Sequence, residues 1–363
     1  MIMKRFAIVN ARRNGDAFTL VELLVSVGML ALLILFVSQL MNSATAVTRT
    51  GNKHVDTDTQ ARVILDRMAV DFAKMLKRTD IDYYVKAPVG YKNPNAHGNG
   101  LKLKTGQQGN DQIAFFSQAP GYYPSGAQSP VSLVAYRVNS AQTSSPTYLR
   151  LERMGKGLLW NGVNNGTSAN SPYPIVFLPG QIAAGTGPWS GPWSAAINND
   201  NSGKSVDSDY ETIGANVFRF EYYYLLKDGS IKDVPALSWD LTKTVSANLN
   251  ALSDVESIAV VIAVIDPTSR SLLYDPSTPG DPYNRLFNMV SDMADFKNAN
   301  GKGVGAQKIG DVENQWNTAV QHSATTGTTY NDLGGDGPPF PPAAASAIRI
   351  YNRYFDVRTP ALF

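Results

Sequence analysis

The residues best suited to chemistry are dispersed through this chain of 363 residues. Its histidines, His54, His97 and His322, have no neighbour at metal-ligand spacing and read as surface residues. The absence of cysteine excludes disulfides, thiol chemistry, iron–sulfur clusters and cysteine-built zinc sites. No GxSxG, HExxH or phosphate loop ending in GK[ST] is present. GKGVGAQKIG at 301–310 contains G-x-G-x-G, but no strand pattern precedes it, so a loop is expected rather than a nucleotide site. Asp200, Asp207, Asp209 and Glu211 offer the oxygen ligands Ca²⁺ takes, though without the spacing of an EF-hand. A net charge of +2 without basic clustering gives no reason to expect nucleic-acid binding. The resulting expectation is a chain with no catalytic, cofactor-binding or metal-ligating residues, which is no enzyme and takes no small-molecule substrate.

One carboxylate stands apart. Glu22 lies just inside the longest apolar run, and no charged residue follows from Leu23 to Thr48. The apolar span, 18–41, meets the ~20 residues needed to cross a bilayer core as a helix. Lys4, Arg5, Arg12 and Arg13 precede it against the single acid Asp16. That asymmetry predicts a cytoplasmic N-terminus and export of everything after Met41. The small residues and the polar break come before the apolar run, whereas an ordinary secretory signal has them after it. Topology leaves two readings open: a leader removed on the cytoplasmic side, or a plain uncleaved anchor. An ionisable group in such a segment needs a partner, and headgroup contact is the alternative.

GDAFTLVELLVSV, at 15–27, resembles the N-terminal signature of type IV pilins and type II secretion pseudopilins. The resemblance implies a basic leader, 1–17, cut by a prepilin peptidase between Ala17 and Phe18. It implies N-methylation of Phe18, with Thr19, Leu20, Val21 and Leu23 completing the motif around Glu22. The family usually has glycine before the cut; this chain has Ala17, with Gly15 two residues earlier as the other possible site. Glu22 is then implied to neutralise the Phe18 amine of a neighbouring subunit and so to set axial register during assembly, as buried polar groups set register in coiled coils.

Behind these residues stand the elements that must carry them. Ala61, Ile64, Leu65, Met68, Phe72, Met75 and Leu76 recur at three- and four-residue steps and predict an amphipathic helix over 58–79. Arg62, Asp66, Arg67, Asp71, Lys74, Lys77 and Arg78 are assigned to its solvated side. The polar stretch 42–57 continues the first helix in this reading. Strands are expected at 112–117, 131–138, 147–154, 216–226 and 255–265, with a hairpin between the second and third. Tyr222, Tyr223 and Tyr224 read as half core and half surface, and Trp189 and Trp193 in GPWSGPW as a partner contact. Residues 155–210 and 266–342 are rich in turn formers and read as insertions; the second holds one short helix, at 282–297. AIRIYNRYF at 347–355 reads as a final strand or a short helix, a strand being favoured.

Segments such as LDRMAVDF, NVFRFEYYY and SDVESIAVVI resemble the J-type minor pseudopilin of type II secretion systems. AIRIYNRYF resembles large pilin-like proteins of verrucomicrobial gene cassettes. The fold class expected is therefore α+β: a long N-terminal helix, half transmembrane and half amphipathic, packed on an antiparallel sheet with long insertions. Its divisions are a leader at 1–17, a transmembrane helix at 18–41, a stalk and amphipathic helix at 42–80, and a head at 81–363. The resemblance implies a minor structural subunit at the tip or in low copy of a pseudopilus or type IV pilus. It would be single-pass in a bacterial inner membrane with a periplasmic head. Its partners would be other pilin-like subunits, the peptidase and the membrane. The alternative is a membrane-anchored periplasmic or surface ligand-binding protein using the same export signal.

Overall fold

The computed structural model describes residues 19–76, 110–119, 131–139, 146–157, 210–232, 255–273, 284–293, 296, 308–330 and 339–357. The leader, Gly15, Ala17, Phe18, His97, Trp189, Trp193, Asp200, Asp207, Asp209 and nearly all of 155–210 lie outside them. The chain divides into two units, Met1–Asn52 and Lys53–Phe363. A single helix, α1 (Leu20–Ala73), contributes to both.

In the first unit α1 exposes its apolar side chains, from Leu20 through Met41 to Val47. Three of its hydroxyls are turned inward on the backbone. Ser26, Thr45 and Thr48 donate to the carbonyls of Leu23, Met41 and Ala44 at 2.7–2.9 Å. That arrangement satisfies each hydroxyl without water. By length and composition this helix is able to cross a membrane.

In the second unit two antiparallel sheets form. The first has the order β1 (Gln112–Ser117), β2 (Ser132–Val138), β3 (Leu151–Gly157), β4 (Tyr210–Gly214). The second has the order β6 (Ile231–Lys232), β5 (Val217–Leu226), β7 (Val255–Val264), β8 (Arg349–Asp356). The expected β2–β3 hairpin is present, with Ala135 opposite Met154. Its second strand starts at Leu151 rather than 147, because Thr147–Leu149 form a turn in which Leu149 takes a φ of 50°. The final segment is a strand, β8, paired along its whole length with β7.

The C-terminal part of α1 packs on both sheets. Ala61, Ile64, Leu65, Met68, Phe72 and Met75 are buried, as the three- and four-residue spacing requires. Phe72 sits at the junction: its ring lies 4.9 Å from Phe115 in β1 and 4.9 Å from Phe355 in β8. At the helix end, Leu76 N–H donates to the Phe116 carbonyl and Gln118 N–H to that of Lys74, so α1 leads directly onto the edge of β1. Gly214, at the corner between β4 and β5, has room for nothing larger: a Cβ there would lie 2.9 Å from Ile64 Cδ1 and 3.0 Å from Leu151 Cβ.

Two expectations are corrected here. The tyrosines of β5 are not half exposed: Tyr222, Tyr223 and Tyr224 are all buried. Phe220, Tyr222 and Tyr224 form an aromatic row on one face, with Tyr222 donating to the Gln112 carbonyl of the first sheet. Tyr223 on the opposite face stacks on Phe296 at 4.7 Å. The second correction explains the first, since the region 266–342 is no loop insertion over its described residues. It supplies α2 (Pro267–Ser271), α3 (Asn284–Asp292) and α4 (Asp311–Thr326), and α5 (Pro342–Ala345) begins at its end. Leu286, Met289, Val312 and Trp316 from α3 and α4 are buried. The second sheet is thus covered on both faces, which is why β5 and β7 are buried almost throughout.

Candidate functional site

The site expected from the sequence lies at the start of α1. Thr19 is the N-cap and Glu22 the third helical residue, the spacing of a capping box. The Glu22 carboxylate accepts from the Thr19 backbone N–H and from the Thr19 hydroxyl, both at 3.0 Å. In return, Thr19 Oγ1 accepts from Glu22 N–H at 3.3 Å. The backbone follows, with Leu23 N–H donating to the Thr19 carbonyl at 3.1 Å. Leu20, Val21 and Leu23 project from this turn as exposed apolar side chains. The negative side chain also meets the positive end of the helix dipole. Among the described residues one Glu22 oxygen carries both bonds, and the other accepts none. Ala17, Phe18 and Gly15, the residues of the expected cut, are outside the described residues.

The second unit holds ionic clusters that the sequence reading did not find. Asp71 was assigned to the solvated side of its helix, yet it is fully buried. Arg153 of β3 grips it with two hydrogen bonds, Nε to Oδ2 at 2.7 Å and Nη2 to Oδ1 at 3.1 Å. The Tyr136 hydroxyl of β2 donates to Oδ2 as well. Arg67, one turn earlier on α1, stands 3.8 Å away, and Glu211 of β4 lies 3.5 Å from Arg153 Nη1. Burial and the Asp71 charge push the Tyr136 hydroxyl well above the ordinary tyrosine pKa. Burial alone would lower the Arg153 pKa, but the hydrogen bonds and charge of Asp71 outweigh it and raise it. The cluster ties the end of α1 to β2 and β3.

A second cluster lies between β5 and the covering helices. Glu221 accepts from Arg219 at 3.3 Å through one oxygen and from Phe296 N–H at 3.1 Å through the other. Arg219 also donates to the Met293 and Phe220 carbonyls and lies 4.9 Å from the Trp316 ring. Its role is to dock α3 and α4 on the sheet. In both clusters the carboxylate oxygens are occupied by donors of the protein itself.

The remaining candidates are not brought together. His54 Nε2 lies 2.8 Å from Arg349 Nη2, while His322 stacks on Tyr330 at 3.9 Å. Glu211, considered as a Ca²⁺ ligand, faces Arg153 instead. Among the described residues, no three His, Asp or Glu side chains could share a metal ion. A signal for Asp71 did exist in the sequence. It shares the row Ile64, Met68, Asp71, Met75, whose steps of four, three and four residues define the buried face. No comparable signal marks Arg219 and Glu221, because their burial depends on helices distant in sequence.

Comparison with known proteins finds no matching family model, no similar curated protein and no similar solved structure.

Proposed function

We propose that this chain is a minor pilin-like subunit, processed by a prepilin peptidase and assembled through its N-terminal helix into a pseudopilus or type IV pilus. It is held before assembly as a single-pass protein of a bacterial inner membrane, N-terminus inside and head outside, and enters the filament at the tip or in low copy. The observation that carries this reading is the first turn of α1. An exposed apolar helix of membrane-spanning length opens on a carboxylate held in place by Thr19 through one of its two oxygens. Preceded by a basic leader, that turn suits a protein that waits in a bilayer and then meets a cationic partner.

The proposed cut leaves the cap intact. Removal of residues 1–17 keeps the Phe18–Thr19 peptide bond and therefore the Thr19 N–H that binds Glu22. It also leaves the new Phe18 amine one residue from the cap. In an isolated subunit Glu22 stabilises its own helix start; in a filament its carboxylate takes the neighbour's Phe18 amine.

Two measurements test the proposal. Mass spectrometry of the purified protein is expected to find a chain beginning at N-methylated Phe18; an intact Met1 start defeats the processing claim. Incorporation into filaments should distinguish the two roles of Glu22. Glu22→Gln keeps an acceptor for the cap but removes the charge, whereas Glu22→Ala removes both. Both are expected to insert and be cleaved normally yet assemble poorly. Wild-type assembly by Glu22→Gln means that capping alone is the residue's work and removes the intersubunit ion pair.

A further inference from the structure

Three residues of β8 hold α1 by its polar flank. Arg349 reaches His54, Tyr351 reaches Thr57 and Asp58, and Arg353 reaches Asp66, in the same order along strand and helix. These residues alternate along β8, so their side chains leave one face of the strand, and Phe355 continues the row onto Phe72. All of them belong to the second unit. Tyr351 and Arg353 each donate a hydrogen bond to a carboxylate. The first pair differs, because there a guanidinium meets an imidazole.

His54 Nε2 lies 2.8 Å from Arg349 Nη2. Arginine offers N–H donors and no acceptor, so the imidazole nitrogen is the acceptor of this bond. Nε2 therefore carries no proton, and the neutral ring keeps its hydrogen on Nδ1. Arg349 is held where it is: its Nη1 donates to the carbonyls of Ser346 and Ile348 at 3.2 and 3.1 Å. The helix is held on the other side. Lys53 Nζ donates to Ser269 Oγ at 3.1 Å, and the Tyr351 hydroxyl donates to Asp58. A protonated imidazole has two donors and no acceptor. A second proton on His54 thus sets N–H against N–H and cation against cation.

We propose that the His54–Arg349 contact is a proton-operated latch, which holds the turn of α1 from His54 to Asp58 against β8 while His54 is neutral and loosens it when His54 is protonated. Histidine is the side chain whose charge ordinarily changes between about pH 5 and 8. The charged and titratable groups around the latch are Lys53 and Asp58 on α1, Arg349, Tyr351 and Arg353 on β8, and Asp266 before α2. Arg349 and Lys53 stand against the added charge. Asp58 is engaged by Tyr351, and Asp266 lies 3.7 Å from Lys53. Because Lys53 and Tyr351 keep their own ties, the turn loosens and does not detach. The latch does not depend on the chain's entering a filament.

The test uses the full chain in detergent micelles at about pH 8 and about pH 5.5, either side of the ordinary histidine range. Ring-nitrogen NMR at the higher pH is expected to find the His54 hydrogen on Nδ1; a hydrogen on Nε2 overturns the proposal. Hydrogen exchange, corrected for the intrinsic effect of pH, is expected to quicken about tenfold on acidification at the amides of residues 54–58. The amides of Ile64, Met68 and Phe72, on the buried face, serve as the reference. His54→Gln keeps an acceptor but cannot titrate, so its exchange should not respond to pH. His54→Ala has no acceptor and should exchange fast at both values. His322→Gln, which alters the histidine stacked on Tyr330, should respond as the parent does. The proposal is overturned if the parent shows no response, if His54→Gln keeps the response, if His54→Ala stays protected at the higher pH, or if His322→Gln abolishes the response.

Discussion

Replacing Asp71 by asparagine isolates the cost of a buried charge left alone. In the native protein Arg153 and Asp71 are both inaccessible to water and joined by two hydrogen bonds of 2.7 and 3.1 Å. Asparagine fills the same volume and still offers an oxygen to the Tyr136 hydroxyl, but the Arg153 guanidinium loses its buried counter-charge. Breaking a buried pair from one side costs about 3–5 kcal/mol. Glu211, half exposed and 3.5 Å from Arg153, offsets a fraction of that and places the expected loss near ~3 kcal/mol. Arg67 matters little, since an exposed helical pair contributes only about 0.3–0.5 kcal/mol. At roughly 2–4 °C per kcal/mol for a unit of this size, Asp71→Asn should lower the melting temperature by about 6–12 °C. Urea denaturation of the full chain in micelles, followed by tryptophan fluorescence, gives the free energy directly. The triple variant Asp71→Leu/Arg153→Met/Tyr136→Phe removes charge and partners together and should recover to within about 1–2 kcal/mol of the parent. A loss below ~1 kcal/mol for Asp71→Asn, or a triple variant worse than the single one, refutes the reasoning that the cluster is a matched buried set.

Two further substitutions probe other parts of the second unit. Trp316→Ala should cost about 3–5 kcal/mol, because the indole is fully buried and lies against Arg219; a melting temperature within a degree or two of the parent would mean that α4 does not cover the sheet. Burial and the Asp58 hydrogen bond push the Tyr351 hydroxyl from an ordinary pKa of 10.0 up to about 12. Because the folded value is the higher one, its stabilisation is complete below pH 10 and lost as pH climbs towards about 12. Tyr351→Phe should therefore flatten the fall in stability over that window, measured by melting temperature against pH, and an unchanged slope excludes the contribution.

How much of this was legible in the sequence depended on whether each residue's neighbours were near it in the chain. The row Ala61, Ile64, Leu65, Met68, Phe72 and Met75 declares its helix and buried face within four turns, and both were found buried. β2 and β3 pair across a short connection, so their hairpin was also readable. β5 was readable as a strand but not as a strand buried on both faces. Its alternation of Phe220, Tyr222 and Tyr224 with Arg219, Glu221 and Tyr223 suggests a wet side. That side is made dry by Phe296 and Trp316, some 75 to 100 residues further along. The turn-rich composition of 266–342 hid those helices, since Gly and Pro between elements are as frequent in a covering layer as in a loose insertion.

Asp71 carries the more general lesson about polarity and position. A helical wheel places it by angle on the apolar arc, and only its charge argued for the solvent side. The charge was tolerated because β3 presents Arg153 and β2 presents Tyr136 at the same depth, so that desolvation is met by three charge-assisted hydrogen bonds. Glu22 poses the same question in the other unit, and its answer has two levels. The Thr19-x-x-Glu22 spacing alone predicts a capping box, and the structure forms it. The cap accounts for one oxygen of the carboxylate and explains how a helix can begin with an acid at the boundary of an apolar span. The proposed contact with a neighbouring subunit is a separate role for the same side chain, and Glu22→Gln is the variant that separates it from the cap.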